Sequence, residues 1–350
     1  MFVPAVKRIL VHAASALLGI ILAHAGSTAA LLDKPDDWFC SHDGRRVTQA
    51  ILSWQSPQGS WPKNQDNALD SFTGDPKTIR GTFDNGATTD ELRYLARAFR
   101  ATGDGTCRDA FIKGFKHILA AQYSNGGWPQ FHPPGGQYHR HVTFNDGSMI
   151  RLLEFLRDSE RYGFIEPALR RQARGAFQRG IDCILKCQIM REGQATVWCA
   201  QHDARSLAPV TARSYELPSL SGSESAGILR FLMSLDSPSA DVVRAIDAGA
   251  AWFEAAKLEG IRVVPTDGDR KVIADPDAPP LWARFYDLES GRPFFCDRDG
   301  VKKNALADIG KERRNGYAWL GRWGDAVALD YARWRARRDL IKSGSDLPKH

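Results

Sequence analysis

Ile51-Leu52-Ser53-Trp54-Gln55 returns as Ile118-Leu119-Ala120-Ala121-Gln122 and again as Ile184-Leu185-Lys186-Cys187-Gln188. The period is about 66 residues, and self-similarity at a fixed spacing marks a repeat architecture. The first two glutamines lead into Gly59-Ser60-Trp61-Pro62 and Gly126-Gly127-Trp128-Pro129. A second echo lies downstream of each, Thr82-Phe83-Asp84-Asn85-Gly86-Ala87 against Thr143-Phe144-Asn145-Asp146-Gly147-Ser148.

Helical periodicity fills the segments between these motifs. Residues 90–99 set Leu92, Leu95, Ala96 and Phe99 on one stripe, and Gly103 supplies a stop. The stripe recurs over 149–156 and 228–235, and the segments before the glutamines (46–54, 108–121 and 168–187) are amphipathic as well. Each repeat is therefore a helix, a loop carrying the glutamine, and a second helix. Hairpins that bury a shared interior curve into a toroid with two layers of helices, and their loops gather on one face. The expected fold is all-α dominated, an incomplete (α/α) toroid of repeated helical hairpins with a few short β-strands in the C-terminal part. The glutamine and Gly-x-Trp-Pro elements read first as structure, glycine for tight backbone and tryptophan as a lid over the hairpin end.

Past Leu258 the character changes. Ile261-Arg262-Val263-Val264, Trp282-Ala283-Arg284-Phe285-Tyr286 and Pro293-Phe294-Phe295-Cys296 are short β-like runs, and Glu289-Ser290-Gly291-Arg292 reads as a hairpin turn. A β-hairpin region is expected over about 258–300, with a last helical segment over 317–337. Residues 341–350 are a polar tail.

The chain of 350 residues is 43% apolar, enough for a large core. Lys7 and Arg8, the apolar run 9–22 and Ala23-His24-Ala25 have the order of an export signal over 1–25. That predicts a secreted or periplasmic product, with the toroid domain over 26–340 and no membrane association once the signal is cleaved. The apolar run is short against the roughly 20 residues of a membrane span, and an uncleaved anchor is the alternative. Six cysteines suit an oxidising compartment without demanding a bridge, and no CxxC pair points to zinc. The net charge of +6 suits a polyanionic ligand and equally an ordinary soluble protein. No Lys/Arg tract interleaved with aromatics argues for nucleic acid.

Asp84-Asn85 and Asn145-Asp146 each stand immediately before an amphipathic helix, where such residues cap free N–H groups. Together they carry a second reading: if equivalent helices are neighbours, the four side chains converge on one face as hard oxygen ligands suited to Ca²⁺. The third repeat departs from this pattern. There, Arg213-Ser214-Tyr215-Glu216-Leu217-Pro218-Ser219 precedes Ser221 and Glu224, which have capping-box spacing. Arg213 is either a salt-bridged surface arginine or a cation facing the same cleft.

These segments resemble polysaccharide lyase family 10, the pectate lyases with an (α/α) toroid. The likeness runs over about 50–323 and includes Thr82-Phe83-Asp84-Asn85-Gly86, Tyr138-His139-Arg140-His141-Val142-Thr143-Phe144-Asn145-Asp146, Val197-Trp198-Cys199-Ala200-Gln201-His202-Asp203, residues 213–225, and Arg284-Phe285-Tyr286-Asp287. The protein is expected to be a monomer, and the resemblance implies β-elimination on polygalacturonate. It implies Asp84, Asn85 and Asp146 as Ca²⁺ ligands and Arg213 as the base. It places Arg284 and Arg298 on substrate carboxylates, and Thr88 and Tyr215 are expected beside them.

The chemistry asks for such groups. The C5 proton of a galacturonate is α to a carboxylate, and its loss builds further negative charge there, so charge stabilisation by metal and arginine dominates. Arginine is normally always protonated, and Arg213 can act as base only if adjacent cations disfavour its charged form. Two other classes share features with the chain. Triterpene cyclases carry Gln-x3-Gly-x-Trp on helical toroids but need an Asp-x-Asp-Asp acid that is absent from this sequence. An inverting glycoside hydrolase would use Asp84 and Asp146 as acid and base. A pectin-binding protein without activity is a third reading.

Overall fold

A computed structural model describes residues 27–342. The export signal expected over 1–25 and most of the polar tail lie outside these residues. The helices are α1 (Ser27–Ala30), α2 (Asp36–Cys40), α3 (His42–Ser53), α4 (Thr89–Thr102), α5 (Gly105–Ala121), α6 (Ser148–Asp158), α7 (Pro167–Cys187), α8 (Gly222–Met233), α9 (Ala240–Ala255), α10 (Lys311–Asn315) and α11 (Trp323–Lys342). Eight of them form two rows: α3, α5, α7 and α9 pack successively, as do α4, α6, α8 and α11. This is an incomplete (α/α) toroid.

Local chemistry explains where the helices begin and stop. Thr88 and Glu91 form a capping box at the start of α4, with the Thr88 amide donating to Glu91 Oε2 at 2.7 Å. Gly103, at φ 72°, ends that helix in the left-handed region. Asp104, Ser221 and Ser239 cap α5, α8 and α9 with their side chains. The expected stripe of α4 is inside, Leu92 and Leu95 being fully buried, and each such side chain contributes about 1.5–3 kcal/mol of burial.

The repeated motifs join successive helices of the row α3, α5, α7 and α9. Gln55 Nε2 donates to Gly59 O at 3.1 Å and to Ala110 O on α5 at 2.8 Å. Gln122 does the same to Gly126 O and Ala176 O, and Gln188 to Thr196 O and Ala245 O. Each glutamine thus ties its own loop to the next helix of its row. The indoles of Trp61 and Trp128 donate to Ile51 O and Ile118 O. Trp198 takes the same role in the third repeat, donating to Ile184 O at 2.7 Å. It stands further from its glutamine because the Met190–Arg191 and Gln194–Ala195 strands are inserted between them. Trp282, donating to Phe253 O, makes a fourth copy that the sequence motif does not announce.

The C-terminal part follows the β expectation with longer-range pairing. Ile261–Thr266 and Asp269–Ala274 form a hairpin, and Glu289-Ser290-Gly291-Arg292 closes a turn in which the Asp287 amide donates to Arg292 O. Trp282–Ala283 pairs with Leu320–Gly321, and Phe285–Tyr286 with Leu220–Ser221 at the start of α8. The helix expected over 317–337 begins only at Trp323, because Tyr317 and Trp319 are packed into a second, aromatic core with Tyr215, Phe285, Phe294 and Phe295. Short strand pairs also occur within the toroid, at Val142–Thr143 with Gln201–His202. All six cysteines are free, Cys40 exposed and the others buried. No described helix is long and apolar enough to cross a membrane.

Candidate active site

The two echoes are equivalent 3₁₀ turns, Asp84–Gly86 and Asn145–Gly147, and they pack against one another. In both, the second residue sits in the left-handed region, Asn85 at φ 53° and Asp146 at φ 49°. Asn and Asp tolerate that conformation best after glycine, because a short polar side chain can bond locally. The first residue of each turn points inward: Asp84 is 2% exposed and Asn145 8%. The carboxylates therefore occupy different registers, Asp84 buried and Asp146 facing outward with its side chain 41% exposed.

Asp84 is fixed from the preceding loops. Its Oδ2 accepts from Lys63 Nζ and, at 2.7 Å, from Gln130 Nε2. Lys63 follows Trp61-Pro62 as Gln130 follows Trp128-Pro129, so the repeat delivers two donors to one carboxylate oxygen. Asp84 Oδ1 is buried without a hydrogen-bond partner. Asp146 accepts from Asn145 Nδ2 at 2.7 Å and from Arg284 Nη2 at 3.2 Å.

Arg284 is the centre of a cationic array. It is buried, bonds Glu224 as well as Asp146, and lies 4.6 Å from the centroid of the Tyr317 ring. Glu224, whose Oε2 accepts from the Ser221 hydroxyl that caps α8, is thereby also the anchor of this guanidinium. Burial opposes the charge of Arg284, yet Glu224, Tyr317 and Asp146 raise its proton affinity above the ordinary arginine value. On the same tyrosine, Arg213 sits 5.6 Å from the ring centroid. Arg213, Arg298 and Arg313 also gather on the Tyr215 ring at 5.1, 5.9 and 4.5 Å. The structure thus brings Arg213 and Arg284 onto one aromatic platform beside the acidic turns, with exposed Arg298, paired to Glu312, at its edge.

Two expectations are corrected. Neighbouring cations were to lower the proton affinity of Arg213; its direct partner is instead Glu216, whose Oε2 accepts from Arg213 Nε at 2.8 Å and whose Oε1 is bonded to Nη2. Burial works against the Arg213 charge, but Glu216 and the two tyrosines outweigh it and raise its proton affinity. Glu216 is held in turn by the Tyr317 hydroxyl, which donates to it at 2.6 Å. Burial keeps that hydroxyl protonated, its pKa pushed well above the usual tyrosine range. Thr88, expected at substrate, is fully buried; its hydroxyl donates to Thr82 O and accepts from the Trp61 amide, which makes it part of the structure beneath the turn. Tyr215 is also buried and acts as a platform for arginines.

Among the described residues, no group of three or more His, Cys, Asp or Glu is placed to hold a metal. Asp84, Asn85 and Asp146 lie on the two turns that pack against one another, and the unpartnered buried Oδ1 of Asp84 is a hard oxygen that suits a cation. Lys63, Gln130, Arg313 and Tyr317 were not singled out from sequence. The first two carry a signal, their matched places after the two Trp-Pro pairs; the last two reach the site only through long-range packing.

The pectic acid lyase family model matches residues 55–328. Among solved structures, an aspartate-to-alanine mutant of a family 10 polysaccharide lyase from Cellvibrio cellulosa, in complex with trigalacturonic acid, shares 36% identity at a TM-score of 0.76, covering 88% of this chain and 96% of that one. The family 10 polysaccharide lyase from Cellvibrio cellulosa itself shares 35% identity at a TM-score of 0.75, with the same coverage. A search of curated proteins found no match. A toroid of this likeness, bearing acidic turns under a rank of arginines, defines a polysaccharide lyase. More narrowly, the chain belongs to the pectic acid lyase family, polysaccharide lyase family 10, and is a pectate lyase.

Proposed function

We propose that the enzyme is an exported monomer that cleaves (1→4)-α-D-galacturonan by calcium-dependent β-elimination, leaving unsaturated oligogalacturonides. The observation that supports this most is the grouping of two packed acidic turns with Arg284, which bonds Asp146, and Arg213, which shares the Tyr317 ring with Arg284.

Asp84, Asn85 and Asp146 would hold Ca²⁺, which when bound supplies positive charge to the carboxylate next to the breaking C5–H bond. Arg284, aimed by Asp146 and Glu224, offers fixed N–H donors to the same developing charge. Arg298 binds a neighbouring uronate, where a guanidinium fork matches a carboxylate. Arg213 receives the C5 proton; the electron pair left behind forms the C4=C5 double bond as the C4–O bond breaks, and the departing glycosidic oxygen takes its proton from solvent water. Glu216 opposes this by stabilising protonated Arg213, so only the small deprotonated fraction works and the rate climbs with pH far into the alkaline range.

Elimination leaves a conjugated double bond that absorbs in the ultraviolet, whereas hydrolysis and simple binding do not. Incubation with polygalacturonate is expected to raise the absorbance in step with chain shortening. Shortening with new reducing ends but no absorbance would replace this reading with hydrolysis by Asp84 and Asp146.

A further inference from the structure

Beneath the acidic turns, α6, α8 and α11 frame a groove of about 660 Å³ that none of the chemistry above uses. It starts at Gly147, next to Asp146, and follows α6 as far as Arg157. Residues three and four apart share a helix face, and that rule puts Arg151, Glu154 and Arg157 of α6 along one wall. Arg230 of α8 and Asp330, Arg333 and Arg337 of α11 line the rest. Arginines outnumber acids, so the groove is positive.

The partners of these arginines orient them without cancelling most of the charge. Arg230 is neutralised, its Nε lying 2.7 Å from Asp330 Oδ2. Arg157 Nη1 donates to the uncharged Ser234 Oγ at 2.8 Å, with Asp158 only at 4.0 Å. Arg337 Nη2 donates to Met233 O at 3.0 Å, and Arg151 Nη1 to Asp146 O at 2.6 Å. Each keeps further N–H donors free, since a guanidinium carries five. Arg333 is exposed, and it stands four residues from Arg337 on α11, a like-charge spacing that weakens a helix unless an anion lies between. The floor is apolar, with Phe231 and Trp334 buried.

We infer that this groove is a distal track for the anionic polysaccharide, holding uronate units that lie beyond those at the reacting centre. A polymer with a carboxylate on every sugar matches a row of oriented guanidinium forks, and Arg151 joins the track to the site through the main chain of Asp146. This role rests on the galacturonan reading above.

The test compares the full enzyme with Arg333→Glu/Arg337→Glu, and with the neutral Arg333→Gln/Arg337→Gln, on long polygalacturonate and on trigalacturonate at low salt. For the polymer, KM is expected to rise about tenfold on charge reversal, the lower end of what a focusing charged cleft supplies, and less in the neutral variant. The trimer, too short to occupy both places, should keep its kcat/KM. Equal responses of polymer and trimer, whether both unchanged or both reduced, would overturn the track. Migration of the same proteins through a gel containing polygalacturonate reads binding without turnover: retardation weakened in the variants supports the track even if no unsaturated product forms, and undiminished retardation overturns it. Absence of unsaturated product from the unaltered enzyme would count against the galacturonan reading alone.

Discussion

Glu216 meets Arg213 through three donors, the main-chain amide at 3.1 Å, Nε at 2.8 Å and Nη2. Burial pushes the Glu216 carboxyl up, and Arg213 more than reverses this, so the pair is ionised across the neutral range. Replacing Glu216 by Gln removes the charge that stabilises protonated Arg213 and lowers its proton affinity. The alkaline rise of activity should then move to lower pH by about 1–2 units, the equivalent of one charge-assisted bond of about 1.5–3 kcal/mol. A pH–rate profile that does not move would remove Arg213 as the titrating group. Arg213→Lys should keep KM within a few-fold and lower kcat by about 10²–10⁴, the usual contribution of a positioned base, and near-normal turnover would refute the assignment. At this scale the sequence is readable where the repeat writes it twice. Asp84, Asn85 and Asp146 stand in echoed turns, and Lys63 and Gln130 follow echoed Trp-Pro pairs. Tyr317 has no echo, and its contact with Glu216 spans a chain distance that no local pattern encodes.

The turns and loops that carry these residues depend on backbone conformations few residues adopt. Asp146 is left-handed, which costs about 1–2 kcal/mol for a residue other than glycine but less for Asn or Asp. Asp146→Asn should therefore keep thermal stability and lose calcium affinity, while Asp146→Ala loses both; calorimetric calcium titration and thermal unfolding separate the two. Gly126, at φ 94°, lies so close to α7 that an added Cβ would meet the Arg179 carbonyl oxygen at 1.9 Å. Gly126→Ala is expected to destabilise the fold by about 3 kcal/mol, and a midpoint of urea unfolding equal to that of the unaltered protein would show that the joint yields freely. Glycine, tryptophan and glutamine in the repeated loop are thus structural, as their pattern in the sequence implies. Trp198 escaped because a two-strand insertion displaces it, and Trp282 because its hairpin lacks the glutamine.

Over the whole molecule, the two helix rows hold the acidic turns at the N-terminal ends of α4 and α6, the loop between α7 and α8 brings Arg213, and the aromatic core of the C-terminal segment delivers Arg284 and Arg298. The rows were readable from periodicity, since each helix buries a face. The strand pairs that fold Arg284 and Tyr317 over the turns were not, because Trp282–Ala283 meets Leu320–Gly321, and Phe285–Tyr286 meets Leu220–Ser221, across long stretches of chain. The proposed site lies where these parts meet, the turns carrying Asp84, Asn85 and Asp146 and the other segments the guanidinium groups. The most direct measurement of that union is ultraviolet absorbance during incubation with polygalacturonate in excess chelator, followed by calcium in excess of the chelator. Activity should vanish with the chelator and return with calcium; full activity in the chelator would contradict a site built from Asp84, Asn85 and Asp146.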